Sequence, residues 1–186
     1  KDWKDIMKYL VASDIHGSAY YCQKLVECYK NSACQKLVLL GDILYHGPRN
    51  DLPKDYAPKL VISMLNEIKD DILCVRGNCD TEVDQMVLDF PVLADYAVFF
   101  DGVQTIYFSH GHKISELEKT LKSTDLLLCG HTHIPTVIKK ENYTYINPGS
   151  VSIPKEGAPN SYMIYENGNL NWYDIESQKI YLQHTL

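Results

Sequence analysis

The chain has 186 residues, of which 45% are hydrophobic and 23% charged, and its formal net charge is -6. This composition is typical of a globular protein with one sizeable core, and the length leaves little room for two domains. The acidic balance, with no run of Lys or Arg, argues against a broad nucleic-acid-binding face, and no stretch is apolar over the length of a membrane span. We therefore expect one domain over residues 1–186, with no membrane and no extended nucleic acid among its partners.

The N-terminus and the cysteines indicate the compartment. Residues 1–14 lack the basic-then-apolar order of a signal peptide. Met7 is a candidate natural start, which would make residues 1–6 an extension. The six cysteines form no tight C-x-x-C pair, and several lie in apolar runs where cysteine acts as a small hydrophobe. A reducing, cytoplasmic location is the expectation.

The first half of the chain alternates strands and helices. Apolar runs predict buried strands over 6–13, 36–42 and 71–78, and helical spacing predicts helices over 19–31 and over about ten residues from Pro58. One face of the second helix is predicted to carry Leu60, Met64, Leu65 and Ile68. The alternation predicts a largely parallel sheet covered by helices.

The second half is richer in strands. Residues 96–110 are a predicted hairpin around an Asp-Gly turn. A short helix is predicted within 117–121, followed by a buried strand over 125–130. Later short apolar runs, two of them joined by an Asn-Gly turn, add further strands. The expected fold class is α/β leading into a strand-rich C-terminal half.

Possible metal ligands follow five of the predicted strands, and one end, His131 and His133, brings two imidazoles to the same side of an extended chain. The residues of this kind at the five ends are Asp14 and His16, Asp42, Asn78 and Asp80, His110 and His112, and His131 and His133. Glycines among them are expected to let the backbone turn sharply. Each group alone occurs by chance in many chains, and a lone histidine at a strand end is usually a hydrogen-bonded surface residue. Five such ends are hard to explain by packing, so the pattern predicts a metal site at the carboxyl ends of the strands.

The same residues occur in motifs that resemble a known family. The order D-x-H, GD, GN-x-[DE], GH and GHTH resembles the calcineurin-like metallophosphoesterases. Longer stretches, LLGDILYHGPRN, VRGNCDTEVDQM, GHTHIP and NPGSVSIPK, are similar to the small bacterial YfcE-type phosphodiesterases over nearly all of the chain. The resemblance implies a four-layer α-β-β-α sandwich of two mixed β-sheets flanked by helices.

The resemblance also implies two divalent metal ions per chain. Asp14, His16 and His133 would hold one metal, Asn78, His110 and His131 would hold the other, and Asp42 would bridge them. Carboxylate, amide and imidazole ligands suit Mn²⁺, the expected metal, as well as Fe, Ni²⁺ or Zn²⁺. A metal-bridging hydroxide would attack phosphorus, with Asn78, His110 and His112 as the implied catalytic residues.

Residues beyond the ligands have expected roles with plain alternatives. His112 would contact the phosphoryl group or a metal-bound water, or else be a solvent-exposed loop histidine. Arg49 would bind a phosphate through its planar guanidinium, or else form a structural salt bridge. Cys79 stands at a substrate-binding position where many family members have a histidine thought to protonate the leaving group. Because a neutral thiol is a weaker proton donor, Cys79 favours diesters over monoesters. Asp80 is expected to orient a neighbouring ligand, and the turn at 147–152 to back the site.

The predicted activity is metal-dependent hydrolysis of small phosphodiesters, which makes the chain a phosphoric diester hydrolase. One alternative is a non-catalytic metal-binding or protein-interaction scaffold like the retromer small subunit, which resembles this fold. The retention of every ligand position counts against it. The other alternative is a phosphomonoesterase, against which Cys79 and the short chain count. The expected partner is a small phosphodiester substrate, and the resemblance suggests a homo-oligomer.

Overall fold

Residues 8–186, which the computed structural model describes, form eleven strands and four α-helices. The strands are β1 (Lys8–Ala12), β2 (Lys36–Leu39), β3 (Ile72–Cys74), β4 (Tyr96–Phe100), β5 (Thr105–Ser109), β6 (Leu126–Cys129), β7 (Thr136–Lys139), β8 (Thr144–Asn147), β9 (Ser161–Glu166), β10 (Asn169–Asp174) and β11 (Ile180–Thr185). The helices are α1 (Ala19–Asn31), α2 (Pro58–Asn66), α3 (Glu82–Gln85) and α4 (Ser115–Glu118), and Lys69–Asp71 form a 3₁₀ turn. The predicted start at Met7 and extension over residues 1–6 lie outside the described residues.

The first sheet joins the alternating first half of the chain to three C-terminal strands, in the order β11-β10-β9-β1-β2-β3. The strands β1, β2 and β3 are parallel, with α1 and α2 as the crossover connections that parallel neighbours require. The strands β9, β10 and β11 run antiparallel. Asn167 and Gly168 form the turn between β9 and β10, both with positive φ, which suits the twist of a hairpin. The parallel layer, its two helices and this hairpin are confirmed.

The second sheet has the order β4-β5-β6-β8-β7. The predicted hairpin is confirmed as β4 paired antiparallel with β5, Tyr96 lying opposite Ser109. The strands β5, β6 and β8 are parallel, and β7 is antiparallel to β8. Both sheets are therefore mixed.

Alternating side chains of each sheet build the layers. In β1, Leu10 and Ala12 belong to the cluster that includes the buried side chains of α1 and α2, whereas Val11 packs between the sheets. On the far face of the second sheet, Leu127 and Cys129 pack with Leu117 of α4. The order of layers is thus helix, sheet, sheet, helix. The predicted four-layer sandwich is confirmed, with a thin fourth layer.

Two local predictions differ from the structure, and one helix was not predicted. Leu60 of α2 is 58% exposed, so the predicted face is wrong at this residue. The other three residues of that face, Met64, Leu65 and Ile68, pack against the core together with Val61. The short helix expected within 117–121 begins two residues earlier and ends three residues earlier, and α3 was not predicted. A capping box stabilises α3, in which the Thr81 N–H donates to Asp84 Oδ2 at 2.7 Å. No helix within residues 8–186 has the length and hydrophobicity needed to cross a membrane.

Candidate metal centre

All seven predicted metal ligands lie in one cluster, where the carboxyl ends of strands from the two sheets meet. The loops that follow β1, β2 and β3 supply four of them, and the loops that follow β5 and β6 supply the other three. They are Asp14, His16, Asp42, Asn78, His110, His131 and His133. Most are buried, although Asn78 is exposed.

Asp14, His16 and His133 form one group of the cluster. His16 Nε2 lies 3.5 Å from Asp14 Oδ1 and 3.3 Å from His133 Nε2, and His133 Nε2 lies 3.2 Å from the same Asp14 oxygen. Three potential ligand atoms from two different sheets therefore surround one point. Their separations are compatible with shared coordination of a single cation.

His110, Asn78 and His131 form the second group. His110 Nε2 lies 3.1 Å from Asn78 Oδ1 and 3.2 Å from His131 Nδ1. Asp42 lies between the two groups, since its Oδ2 is 3.8 Å from His16 Nε2 and 3.5 Å from His110 Nε2. The other oxygen, Asp42 Oδ1, accepts a hydrogen bond from the Cys79 backbone N–H at 2.8 Å, which orients the carboxylate.

Hydrogen bonds to backbone carbonyls set the tautomer of three of the histidines. His16 Nδ1 lies 2.7 Å from Tyr45 O, His110 Nδ1 lies 2.7 Å from Leu40 O, and His133 Nδ1 lies 2.6 Å from Ile153 O. A carbonyl can only accept, so each Nδ1 carries a proton and each neutral ring directs its Nε2 lone pair into the cluster.

The donor set fits divalent cations. With those tautomers, His16 Nε2 and His133 Nε2 are two acceptors 3.3 Å apart, a repulsive arrangement unless positive charge lies between them. Asp14 Oδ1 is buried and has no hydrogen-bond partner among the described residues. Buried polar atoms without partners are costly, and a cation bound by these three atoms would remove that cost.

Without metal, the carboxylates of Asp14 and Asp42 favour the protonated form of two neighbouring histidines. Burial lowers the pKa of His110, but its contacts with Asp42 and the charge of Asp14 raise that pKa to about 9. Burial also lowers the pKa of His16, and the nearby Asp14 carboxylate more than offsets this, so the pKa is raised. His131 differs, because burial and the charge of His110 lower its pKa. The cluster therefore favours positive charge, whether it comes from protons or from metal.

Five of the seven predicted ligand residues have a left-handed backbone. Asp14, His16, Asp42, His131 and His133 have φ values between 50° and 65°. Asp tolerates this region better than most residues and so does His, but each such position still costs on the order of 1 kcal/mol. Strained backbone concentrated at the predicted ligands indicates that the loops are shaped for the site rather than for local stability.

The glycines beside the ligands have two different functions. Gly41 has φ of 92°, so it makes the sharp turn that was predicted. Gly77 and Gly130 do not have positive φ, so their backbone conformation does not itself require glycine. Their missing side chains leave room instead, because a Cβ on Gly77 would lie 2.1 Å from Asp42 Oδ1 and one on Gly130 would lie 1.8 Å from Ser13 Oγ. Only glycine allows the loops to approach this closely.

Polar side chains behind the cluster hold its backbone. Asp80 accepts hydrogen bonds from the backbone N–H groups of Asp42, Ile43 and Gly77, at 2.8, 2.9 and 2.7 Å. Ser150 Oγ and Ser152 Oγ both donate to Asp14 O, at 2.9 and 3.0 Å. The structure thus places Asp80 and the turn at 147–152 behind the ligands, as expected.

The other predicted site residues lie around the cluster. A cleft of about 500 Å³ opens onto it and is lined by Cys79 and Arg49, but not by His112. His112 packs instead with its ring 5.4 Å from that of His110 and 6.1 Å from that of His131. It is partly buried rather than fully solvent-exposed. Arg49 is exposed and forms no ion pair with any residue of 8–186, which removes the structural salt bridge as its explanation.

Sequence reasoning missed Lys155, which also lines this cleft. It ends the motif NPGSVSIPK, but nothing in its spacing from the ligands indicated a role. Its position depends on a contact between distant segments, because the Lys155 N–H donates to His133 O at 3.2 Å.

Comparison with known proteins agrees with this geometry. A family model described as the calcineurin-like phosphoesterase superfamily domain matches residues 7–169. The chain belongs to the calcineurin-like phosphoesterase superfamily. It is 44% identical to the phosphodiesterase YfcE of Escherichia coli strain K12, over 96% of this chain and 97% of that one. It is also 24% identical to the phosphodiesterase MJ0936 of Methanocaldococcus jannaschii, over 82% and 89% of the two chains.

Solved structures give the same result. The structure of E. coli YfcE matches with a TM-score of 0.90 and 42% identity, covering 96% of this chain and 99% of that chain. Vacuolar protein sorting 29 from Cryptosporidium parvum matches with a TM-score of 0.66 and 20% identity, covering 97% and 99%, a likeness of fold alone. These comparisons support the predicted enzyme class, a phosphoric diester hydrolase.

Proposed function

We propose that this protein hydrolyses small phosphodiesters at a centre of two divalent metal ions. Membership of the superfamily and 44% identity to a phosphodiesterase over nearly the full chain support the reaction class. The observation that carries the metal centre is the buried set of facing acceptors, Asp14 Oδ1, His16 Nε2 and His133 Nε2, within 3.5 Å of one another. Acceptors held this close in a buried site suit a bound cation.

The proposed ligand set follows the two groups. Asp14, His16 and His133 hold one metal, Asn78, His110 and His131 hold the other, and Asp42 reaches both. Mn²⁺ is the proposed metal, and Fe, Ni²⁺ and Zn²⁺ are the alternatives that suit the same ligands. When bound, two such cations would supply a water molecule of lowered pKa and would offset the negative charge of the phosphoryl group.

The remaining residues of the site position these groups and select the substrate. The Cys79 thiol is neutral because burial raises its pKa, as do the Asp42 carboxylate and other nearby negative charges. It is therefore a weak proton donor to a leaving group, which favours diesters that leave without full protonation. The rings of His110 and His131 pack against His112, so its proposed contribution is to orient them.

The reaction is proposed to take place in a reducing, cytoplasmic compartment, which the six free cysteines support. The proposed substrate is small because the cleft measures about 500 Å³ and the protein carries a net charge of -6. Neither feature suits an extended nucleic acid.

The test compares substrates and metals in one experiment. Protein stripped with a chelator is reloaded with Mn²⁺, its metal content is measured, and bis(4-nitrophenyl) phosphate and 4-nitrophenyl phosphate are supplied as substrates. We expect two metals per chain and turnover of the diester well above that of the monoester. Faster turnover of the monoester would contradict the proposal, and bound metal without turnover of either substrate would indicate a scaffold.

A further inference from the structure

Two cationic side chains lie at the mouth of the metal cluster without a carboxylate partner. Arg49 and Lys155 line the same cleft as the predicted ligands, and both are exposed. In the part of the chain that the structure describes, neither forms an ion pair. Among the residues that line the cleft, Asp42 is the one acid, and it is directed at the histidines. A rim of unpaired cations is unexpected on a protein of net charge -6.

The backbone of Lys155, and the loop that carries Arg49, lie close to the predicted ligands. The Lys155 N–H donates to His133 O at 3.2 Å, and Lys155 O accepts from the Ala158 N–H at 3.1 Å, which closes the turn. On the other side, the loop of Arg49 lies against Cys79, since a Cβ on Gly47 would be 3.4 Å from Cys79 Sγ. The backbone positions of both cations therefore depend on contacts with residues of the predicted site.

The charge of the scissile group does not account for these residues. A phosphodiester carries one negative charge, and the predicted metal site in the buried cluster would neutralise that charge. Arg49 and Lys155 extend from the exposed rim above it. A neighbouring cleft of about 460 Å³ shares Arg49 and Asn50 with the first and is also lined by Asp51, Lys54 and Ser152. This leaves room for a substrate longer than the diester alone.

We propose that the substrate is a phosphodiester that also carries a terminal phosphate on one ester arm, and that Arg49 and Lys155 bind this phosphate. The proposal rests on the phosphodiesterase function proposed above. A terminal phosphate carries close to two negative charges at neutral pH, which two cations match. The Arg49 guanidinium can bind two phosphate oxygens at once, and the Lys155 ammonium adds a compact charge.

The test uses two chromogenic substrates with the same scissile bond. Thymidine 5′-(4-nitrophenyl phosphate) is compared with the same compound bearing a 3′-phosphate, and the readout is the ratio of the two kcat/KM values. We expect the Mn²⁺-loaded protein to prefer the 3′-phosphate form. Arg49→Gln and Lys155→Gln should each lower the ratio by about five- to tenfold, the effect of one charge-assisted hydrogen bond at an exposed site. Lys155→Arg should keep most of the preference, and Lys179→Gln, at an exposed lysine outside the cleft, should keep all of it.

A binding measurement separates this proposal from the proposed reaction. The affinity of the Mn²⁺-loaded protein for thymidine 3′,5′-bisphosphate, relative to thymidine 5′-monophosphate, is measured by calorimetry for the same variants. If neither ester is hydrolysed but the bisphosphate is preferred and Arg49→Gln removes the preference, the phosphate site stands and the proposed reaction falls. If the wild-type protein gave a ratio near one both for the two kcat/KM values and for the two affinities, the proposed phosphate site would be overturned. The same holds if both variants slow the two esters equally, since the cations would then act on the scissile group.

Discussion

Replacing Asp80 with Asn tests how the backbone of the site is held. Asp80 Oδ2 accepts hydrogen bonds from the N–H groups of Asp42 and Gly77, and Oδ1 accepts one from the Ile43 N–H. Asn has the same shape but a single side-chain oxygen. If that oxygen takes the place of Oδ2, the NH₂ group faces the Ile43 N–H, so that one hydrogen bond is lost and two donors meet in a buried place.

The expected loss of stability follows from these three contacts. A hydrogen bond to a charged group contributes about 1.5–3 kcal/mol, and one to a neutral group contributes about half of that. Loss of the Ile43 bond and weakening of the other two therefore cost about 3–6 kcal/mol. Burial raises the pKa of Asp80, although its N–H partners lower it, so burying a neutral amide in place of the carboxylate offsets part of this cost. We expect a net loss of about 2–5 kcal/mol in the free energy of unfolding.

The assay is urea unfolding at neutral pH in the presence of a chelator, so that metal binding does not contribute. The midpoint of Asp80→Asn should lie about 1–2.5 M below that of the wild type. The variant should also bind less Mn²⁺, because the backbone of Asp42 and Gly77 is released. Asp89→Asn, at an exposed position, is the matched control. If Asp80→Asn differed from it by less than about 0.5 kcal/mol, the network would not be what holds these loops.

Three further outcomes are expected. Asp42→Asn should leave fewer than two bound metals per chain and abolish diester turnover, as measured by metal analysis and nitrophenol release; near-normal values of both would exclude a bridging role. In metal-free protein, the pKa of His110 near 9 lies above its unfolded value of about 6.5. Protonated His110 therefore contributes up to about 3 kcal/mol to the free energy of unfolding. This contribution is fully present below about pH 6.5 and is lost as the pH rises through 9. Urea unfolding with chelator at pH 6.5, 8 and 9.5 measures the loss, which His110→Gln should flatten. Cys79→His should accelerate diesters with alkyl leaving groups more than those with nitrophenyl groups, by about 10²-fold or more; equal effects across leaving groups of graded pKa would show that proton donation is not what the site lacks.

The sequence predicted the position of the candidate site because the signal is local. A buried strand ends where apolar residues give way to polar ones, and ligands such as Asp14, Asp42 and His131 follow such ends directly. Parallel strands place those ends at one edge of a sheet, so five local patterns predicted one cluster. Most strands, α1 and the two hairpins were predictable for the same reason, since each depends on spacing within a short segment. The arrangement of the strands in two mixed sheets was implied by the family resemblance.

The features that were missed depend on contacts between distant segments. Gly77 leaves room for Asp42, which follows a different strand. The hydrogen bond between Lys155 and His133 likewise joins residues that are distant in the chain. The left-handed backbone at His16 cannot be inferred from its residue type alone. The face of α2 was wrongly predicted at Leu60 because the helix is apolar on more than one side, and only packing decides which side is buried.

Anomalous diffraction from crystals of the Mn²⁺-loaded protein tests the central claim most directly. We predict two anomalous peaks about 3.5–4 Å apart. One should lie among Asp14, His16 and His133 and the other among Asn78, His110 and His131, with Asp42 in contact with both. A single peak, or peaks away from these seven side chains, would contradict the proposed centre.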